Sequence, residues 1–215
     1  MEIKNLKREL KQSISPEDYR VLKQALTHMC QDKINPCAMH TARVHCLYFE
    51  ASGQPDGKQI EKFNFHYVNE DKDFIRLEKK SKKKELFLER SACINRRDCE
   101  RILAGDTESL GGADDPLLFE FLSALACNKL KPKLLVDCTR ETFVLNQGAV
   151  LVKIDSDFSS GANVSDFLNE KHPVIKRSGQ ILLEVQFEKY LPEIISRVLG
   201  RQKDYPVARF IPAHV

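Results

Sequence analysis

The chain has 215 residues, of which 42% are hydrophobic and 30% charged, and this composition excludes a disordered or fibrous protein. Its 34 Lys and Arg nearly balance 31 Asp and Glu, so the formal net charge of +3 gives no overall field that would favour nucleic acid as a partner. The length suits one domain, which we expect to cover residues 1–215.

The cysteines and the N-terminal residues indicate the compartment. Seven Cys form an odd number without close paired spacing, which predicts reduced thiols in a cytoplasmic protein. The first residues, MEIKNLKREL, lack the apolar core of a signal peptide, and no stretch approaches the roughly 20 apolar residues that a membrane-spanning helix needs. We therefore expect no transmembrane segment, while membrane association through a partner stays open.

The predicted elements are strands grouped around a few helices. Residues 2–14 alternate as a strand, and Ser15 followed by Pro16 predicts the start of a helix. Four strands follow in RVHCLYFEA, KFNFHYV, FIRLEKKSK and ELFLERSAC. After two helices, at residues 94–105 and from residue 114, strand character returns in KPKLLVDCTRETFVL, GAVLVKIDSDF and GQILLEVQFE. The segment LPEIISRVLG predicts a last helix.

Strand after strand carries charged side chains on one face and apolar side chains on the other, because successive strand side chains point to opposite faces. In FIRLEKKSK, Ile75 and Leu77 oppose Glu78 and Lys80, and in QILLEVQFE the apolar residues 181, 183, 185 and 187 oppose Glu184. An ordinary antiparallel sheet with one solvated face produces this pattern. A closed barrel with a polar interior and helices outside, able to hold a metal and an anion, produces it too. The pattern leaves both interpretations open.

A series of blocks, in a fixed order, carries a family resemblance. The blocks are LYFEASG, EKFNFHYVNEDKDFIRLEKKSKKKELFLERSA, RILAGD, PLLFEFL, KPKLLVDCTRETFV, VKIDSDF and ILLEVQFEKYLPEII. In order and spacing they resemble bacterial VTC (vacuolar transporter chaperone) domains, from about Lys7 to Leu199. The resemblance implies the triphosphate-tunnel metalloenzyme fold, an α+β protein whose antiparallel strands, about eight in number, form a closed β-barrel with helices packed outside.

The same resemblance implies a function. Active VTC domains are polyphosphate polymerases, which transfer the γ-phosphoryl group of ATP to a growing polyphosphate chain with a divalent metal, Mn or Mg. Phosphoryl transfer depends mainly on positioning and on neutralising charge with Lys, Arg and metal, and a tunnel lined with ions suits both needs. The implied partners are polyphosphate or a nucleoside triphosphate, and no nucleic acid.

The resemblance also assigns roles to individual charged residues. The residues that neutralise phosphate oxygens during catalysis would be Lys11, Lys80 and Arg140. Further substrate contacts would come from Lys62, His66, Lys82 and Arg43. The metal would be held by Glu184, Glu9, Glu78 and Asp155, because carboxylate oxygens suit a hard divalent cation.

The chain departs from the family at positions where VTC domains carry basic side chains, namely Asn64, His66, Glu89, Leu151 and Gln186. A charge-assisted contact with phosphate contributes about 1.5 to 3 kcal/mol, so the loss of several contacts weakens binding. Enzymatic activity is therefore an open question at this stage. Two other functions remain: a non-catalytic phosphate-chain-binding or regulatory pseudoenzyme, and a hydrolase of short triphosphates.

Overall fold

The computed structural model describes residues 7–31, 37–51, 60–83, 86–107, 115–127, 129–145, 150–161, 163–169, 174–188 and 191–200. Within these residues the strands are β1 (Lys7–Ile14), β2 (Ala38–Ala51), β3 (Ile60–Val68), β4 (Ile75–Lys83), β5 (Leu86–Ile94), β6 (Leu130–Leu145), β7 (Val150–Gly161), β8 (Val174–Ser178) and β9 (Ile181–Phe187). The helices are α1 (Pro16–Gln31), α2 (Arg96–Leu103), α3 (Pro116–Ala126), α4 (Glu193–Gly200) and a 3-10 helix at Val164–Leu168. The predicted α+β class is confirmed.

The chain divides into two compact units, each with a hydrophobic core of its own. The first unit comprises Met1–Ala42, Thr139–Asp157 and Ser178–Val215. The second comprises Arg43–Cys138 and Phe158–Arg177. The single domain that we expect over residues 1–215 stays a prediction.

In the first unit, β9 lies between β1 and β7 and runs antiparallel to both. Helix α1 begins at the predicted cap, where the Ser15 hydroxyl accepts a hydrogen bond from the backbone N–H of Asp18 at 3.1 Å. Its apolar side, with Leu22 and Leu26 fully buried, packs into the core of this unit. That core also contains Ile14, Phe143, Leu145, Val150, Val152, Ile154, Leu183, Val185, Phe187, Ile195 and Val198.

A buried carboxylate on β6 anchors α1. Glu141 accepts a hydrogen bond from the Tyr19 hydroxyl at 2.7 Å and pairs with the Lys23 ammonium at 2.6 Å. Burial, together with the neighbouring Glu141, raises the pKa of Tyr19, and the hydrogen bond to Glu141 raises the pKa of Lys23. A buried carboxylate needs such partners, so the polar side of α1 satisfies Glu141 while its apolar side fills the core.

In the second unit, β2, β3, β4 and β5 form an antiparallel meander. Helix α2 is capped by Asn95, whose side chain accepts a hydrogen bond from the backbone N–H of Asp98 at 2.8 Å. Phe121 of α3 is fully buried, and its ring lies 4.9 Å from that of Phe49 and 5.1 Å from that of Phe65. Aromatic pairs at these separations add to the hydrophobic stabilisation of the core.

Alternation along the strands produces the two faces that the sequence predicts. On β3 and β4, Phe63, Phe65, Tyr67 and Leu77 are buried in the core of the second unit, and the residues between them face the other way. Within the described residues, neither unit by itself forms a closed barrel. The closed barrel implied by the resemblance therefore stays a prediction.

The structure corrects the expectation that all cysteines are reduced. Cys30, at the end of α1, forms a disulfide with Cys37, immediately before β2. The cysteines that form no disulfide are Cys46, Cys93, Cys99, Cys127 and Cys138. The disulfide was not predicted from the sequence, because the separation of seven residues between its cysteines matches no recognised motif. Among the described residues, no helix combines the length and the apolar character that a membrane crossing requires.

Candidate functional site

The polar face of the first unit is built on three adjacent strands. Lys11 of β1 lies directly opposite Glu184 of β9, and Lys153 of β7 lies opposite the same glutamate on its other side. Residues paired across antiparallel strands point to the same face of the sheet. The backbone register therefore places a carboxylate between two lysines.

Glu184 is the centre of this row. Its side chain is only 4% exposed, and its carboxylate accepts hydrogen bonds from the Lys11 ammonium at 3.1 Å and the Lys153 ammonium at 3.5 Å. The Gln186 side-chain amide donates a third, at 3.0 Å. A buried carboxylate without such donors would be strongly unfavourable. The row thus brings two ammonium groups to one carboxylate in a largely desolvated position.

A second charged pair lies on the same unit. Arg140 of β6 donates two parallel hydrogen bonds to the buried carboxylate of Asp155, from Nε at 2.7 Å and from Nη2 at 2.8 Å. Bidentate pairs of this kind fix the plane of the guanidinium. Asp155 and Lys153 are two residues apart on β7, so their side chains leave the strand on the same face.

The polar face of the second unit is built on β3, β4 and β5. Glu78 accepts a hydrogen bond from the Asn64 amide at 3.0 Å, and the His66 ring lies 3.3 Å from the Asn64 oxygen. Lys80 lies opposite Glu89, with its ammonium 3.9 Å from the carboxylate. Acidic, basic and amide groups alternate here, so this face is mixed in charge.

The remaining predicted substrate contacts occupy different surroundings. Lys62 is exposed and lies opposite Lys80 in the register of β3 and β4. Arg43 of β2 donates from Nη2 to the Ser159 hydroxyl at 3.2 Å. The side chain of Lys82 lies outside the described part of the chain.

The predicted site residues are divided between the two units. Those of the first unit are Glu9, Lys11, Arg140, Asp155 and Glu184, and those of the second are Arg43, Lys62, His66, Glu78, Lys80 and Lys82. Lys153 and Gln186 also contact Glu184, but the sequence analysis assigned neither to the site and named Gln186 only as a departure from the family. Strand alternation could have identified them, because Lys153 lies on the same face as Asp155, and Gln186 on the same face as Glu184.

The geometry of the carboxylates shows whether they form a metal site. Among the described residues, no group of three or more His, Cys, Asp or Glu side chains is placed to hold a metal ion. Glu184 is engaged by lysines, and both oxygens of Asp155 accept from Arg140. The described side chains therefore do not form a metal cage, and metal binding stays a prediction.

A histidine that the sequence analysis did not select lies in the core of the second unit. The buried His45 ring lies 2.9 Å from the Asp137 carboxylate through Nδ1 and stacks on Tyr67 with ring centroids 4.6 Å apart. The Tyr67 hydroxyl donates to the backbone oxygen of Phe167 at 3.1 Å. Burial, followed by the negative charge of Asp137, raises the pKa of Tyr67 far above its ordinary value. We attribute a structural role to this group.

Comparison with known proteins gives one family model and several solved structures that align with the chain. The family model described as the VTC domain matches residues 6–210. A Hippeastrum protein, described as a candidate adenylyl cyclase with a dominant triphosphatase activity, aligns with a TM-score of 0.55 and 13% identity over 91% of this chain and 85% of that chain. A chain of the Schizosaccharomyces pombe Mediator head module aligns with a TM-score of 0.46 and 8% identity over 91% and 90% of the two chains. The mimivirus capping-enzyme triphosphatase aligns at 0.43 and 11% identity over 92% and 88%.

These matches differ in what they establish. At 13% identity, the Hippeastrum protein shows a likeness of fold alone, and the two lower TM-scores carry no argument. No protein of curated function matches the sequence. The family model covers nearly the whole chain and spans both units. The chain therefore belongs to the VTC domain family, as its sequence blocks predict.

Proposed function

We propose that this VTC domain binds the phosphate chain of polyphosphate or of a nucleoside triphosphate and transfers the γ-phosphoryl group of ATP to polyphosphate. The observation that carries the proposal is the row formed by Lys11, Glu184 and Lys153, which brings two ammonium groups to one polar face in a largely buried position. An anion with several charged oxygens would contact both ammonium groups. Membership of the VTC family supports the choice of a phosphate chain as that anion.

The proposed site is a tunnel. In this proposal the antiparallel strands close into a barrel, and the polar faces of the strands line its interior. Closure excludes bulk water, so each contact between a cation and a phosphate oxygen is stronger than it would be on an exposed sheet. The apolar faces, which pack against helices in both units, agree with a barrel whose outside is covered.

Each proposed role follows from the chemistry of phosphoryl transfer, in which positioning and charge neutralisation supply most of the catalysis. The catalytic cations are Lys11, Lys80 and Arg140, and further chain contacts come from Lys62, His66, Lys82 and Arg43. A divalent ion held by Glu184, Glu9, Glu78 or Asp155 would neutralise phosphate oxygens when bound. Mg²⁺ is commonly held by one or two carboxylates together with substrate phosphates, so a preformed cage is not required.

Triphosphate hydrolysis is a second candidate. The Hippeastrum protein with a related fold is described as having a dominant triphosphatase activity. Hydrolysis needs contacts to a short chain only, whereas polymerisation needs contacts along a polymer. The neutral amides Asn64 and Gln186, both buried on the polar faces, reduce the number of available cations and favour a short substrate.

A non-catalytic phosphate-binding module is the third candidate, and the same buried amides favour it. A pseudoenzyme would keep the lysine row and the fixed guanidinium of Arg140 yet leave a bound chain unchanged. Product analysis distinguishes the three candidates. A polymerase lengthens polyphosphate and releases ADP, a hydrolase releases orthophosphate without chain growth, and a binding module yields neither product.

The test of binding is calorimetric titration with tripolyphosphate, with and without Mn²⁺. We compare the native chain with the double variant Glu78→Ala, Lys80→Ala. A matched control is Glu50→Ala, Lys133→Ala, which removes an exposed pair with a separation of 2.7 Å on the same unit. We expect native and control proteins to bind, and the test variant to bind about tenfold or more weakly after the loss of a charge-assisted contact. No binding by the native chain in either condition would contradict the proposal.

A further inference from the structure

A disulfide between Cys30 and Cys37 joins the end of α1 to the chain immediately before β2. The two cysteines are seven residues apart, and both are half-buried against the core of the first unit. A disulfide stabilises a fold mainly by restricting the unfolded chain. The redox state of this pair therefore determines whether the end of α1 is covalently tied to the start of β2.

The pair differs from the buried cysteines in ways that favour reversible chemistry. Cys46, Cys99 and Cys138 are buried, and burial raises the pKa of the Cys99 thiol to about 12, so it carries almost no reactive thiolate at neutral pH. The half-buried pair is partly accessible to a small thiol, and an accessible disulfide is reduced more readily than a buried one. A disulfide in a cytoplasmic protein, which the sequence predicts, is commonly transient and redox-sensing.

Cys30 lies on the side of α1 that contacts Glu141. Tyr19, Lys23, Leu26 and Cys30 follow one another at intervals of four, three and four residues, which places them on one side of the helix. Tyr19 and Lys23 bind the Glu141 carboxylate of β6 at 2.7 and 2.6 Å, and Leu26 is fully buried. The disulfide therefore holds the C-terminal end of the same helix side whose N-terminal end anchors β6.

Glu141 connects α1 to the polar face of the first unit. Arg140 precedes it on β6, and successive strand side chains point to opposite faces. Glu141 binds the helix, while Arg140 donates two hydrogen bonds to Asp155 at 2.7 and 2.8 Å on the other face. Coupling between distant positions travels through contiguous contacts of this kind. A change in the position of α1 can thus reach the guanidinium through a single strand.

We propose that Cys30 and Cys37 form a redox switch, whose oxidised form holds α1 in place and supports binding of the phosphate chain through Arg140. Reduction is a thiol–disulfide exchange with a dithiol. The S–S bond between Cys30 and Cys37 breaks, the two sulfurs take up two electrons and two protons from the dithiol, and the dithiol closes to a disulfide. The inference rests on the proposed function and adds its regulation.

A purely structural disulfide makes a different prediction. It would raise the temperature of unfolding and leave the affinity of the folded protein for phosphate chains unaltered. A redox switch changes both quantities. The two interpretations therefore separate when binding is measured on folded protein in both redox states.

The experiment is calorimetric titration with tripolyphosphate, with and without Mn²⁺, against two forms of the native chain. One is oxidised with glutathione disulfide, and the other is reduced with dithiothreitol that is removed before an oxygen-free titration. Alkylation of the denatured chain, followed by mass measurement, should show two more alkylated cysteines in the reduced form. We expect the reduced form to bind about three- to tenfold more weakly. Its unfolding temperature should be roughly 5 °C lower.

Two variants identify the cysteines responsible. The double variant Cys30→Ser, Cys37→Ser should bind as weakly as the reduced native chain and should not respond to dithiothreitol. The matched control Cys93→Ser removes an exposed cysteine that forms no disulfide, and it should respond as the native chain does. If the double variant does not fold, either single variant serves, because one serine already prevents the disulfide.

The outcomes are distinct. Affinities of the oxidised and reduced native chain that agree within about twofold overturn the inference and leave the proposed function intact. The inference is also overturned if oxidation does not close the disulfide, or if the double variant still responds to dithiothreitol. If the native chain binds no tripolyphosphate in either redox state, with or without Mn²⁺, the proposed function itself fails, and its inferred regulation fails with it.

Discussion

Asp155 has two competing roles at the scale of single residues. The resemblance makes it a metal ligand, whereas its geometry makes it the partner of Arg140, to which both carboxylate oxygens are hydrogen bonded. A carboxylate that already accepts two bonds from a guanidinium must give up at least one of them to bind a cation. The geometry thus favours a positioning role, in which Asp155 fixes the direction of Arg140.

The substitution Asp155→Asn tests this role. It keeps the size of the side chain and removes the charge, so we expect tripolyphosphate to bind about tenfold more weakly as the guanidinium loses its fixed plane. The loss should be the same with and without Mn²⁺, measured by calorimetry. Thermal unfolding serves as the control for folding. A loss confined to solutions that contain Mn²⁺ would contradict the positioning role and support metal binding by Asp155.

Sequence alternation was enough to place single residues on a face, but not to identify their partners. Glu184 was assigned to the polar face because Leu183 and Val185 beside it are apolar, and both are buried in the core of the first unit. Its contacts Lys11 and Lys153 are 173 and 31 residues away along the chain. Such contacts depend on the pairing register of strands that are far apart in the sequence. Alternation within one strand does not predict which residue of another strand lies opposite.

At the scale of elements, ion pairs hold α3 against the strands of the second unit. Glu120 of α3 contacts Lys79 of β4 and Arg90 of β5, and Lys79 also pairs with Glu61 of β3 at 2.8 Å. Lys79 is 5% exposed, because alternation places it on the apolar face with Leu77. The acidic partners explain how a lysine is accommodated there.

These pairs make stability depend on pH. Burial raises the pKa of the Glu120 carboxyl, but hydrogen bonds from Lys79 and Arg90 outweigh it, so the pKa lies below its ordinary value of 4.5. Because the folded pKa is lower than the unfolded one, the pairs stabilise the protein fully above that ordinary value. Their contribution is lost as the pH falls through the lowered pKa.

The substitution Glu120→Gln should therefore reduce the free energy of unfolding at neutral pH by about 0.5 to 1 kcal/mol, which allows for solvent screening of a carboxylate that is 38% exposed. The difference from the native chain should shrink at an acid pH below the lowered pKa, where the native carboxylate becomes protonated. Urea unfolding at both pH values measures it. Glu100→Gln, at an exposed pair within α2, is the control. A difference that is equal at both pH values would show that the pairs do not act through charge.

Helices and strands with a clear alternation or a capping residue in the sequence were predicted, and short elements without such features were not. The long alternating strands and the helices with capping residues Ser15 and Asn95 were found from the sequence. The five-residue strand β8 and the 3-10 helix at Val164–Leu168 were not predicted. Segments this short contain too few residues to establish a period, so tertiary contacts determine their conformation.

At the scale of the whole molecule, charge is nearly balanced, while the proposed binding site depends on a few fixed cations. The chain carries 34 basic and 31 acidic residues, whereas the row at Glu184 brings two lysines to one polar face. Long-range attraction of a polyanion depends on the net charge of the protein and on the charge of extended surface patches. Recognition of a short phosphate chain depends instead on a few cations in fixed positions. The protein should therefore discriminate between anions of similar charge density.

Duplex DNA is the appropriate competitor, because its phosphates are regularly spaced along a polymer but carry no consecutive phosphoanhydride units. We expect polyphosphate, and not duplex DNA, to displace tripolyphosphate that is bound to the native chain in EDTA. The two competitors are compared at equal phosphate concentration and about 0.15 M salt. DNA binding requires an extended basic surface, which a net charge of +3 does not favour. Competition calorimetry gives both results. If DNA displaces tripolyphosphate as effectively as polyphosphate does, the anion is held by general surface charge. The lysine row at Glu184 would then not be a specific site.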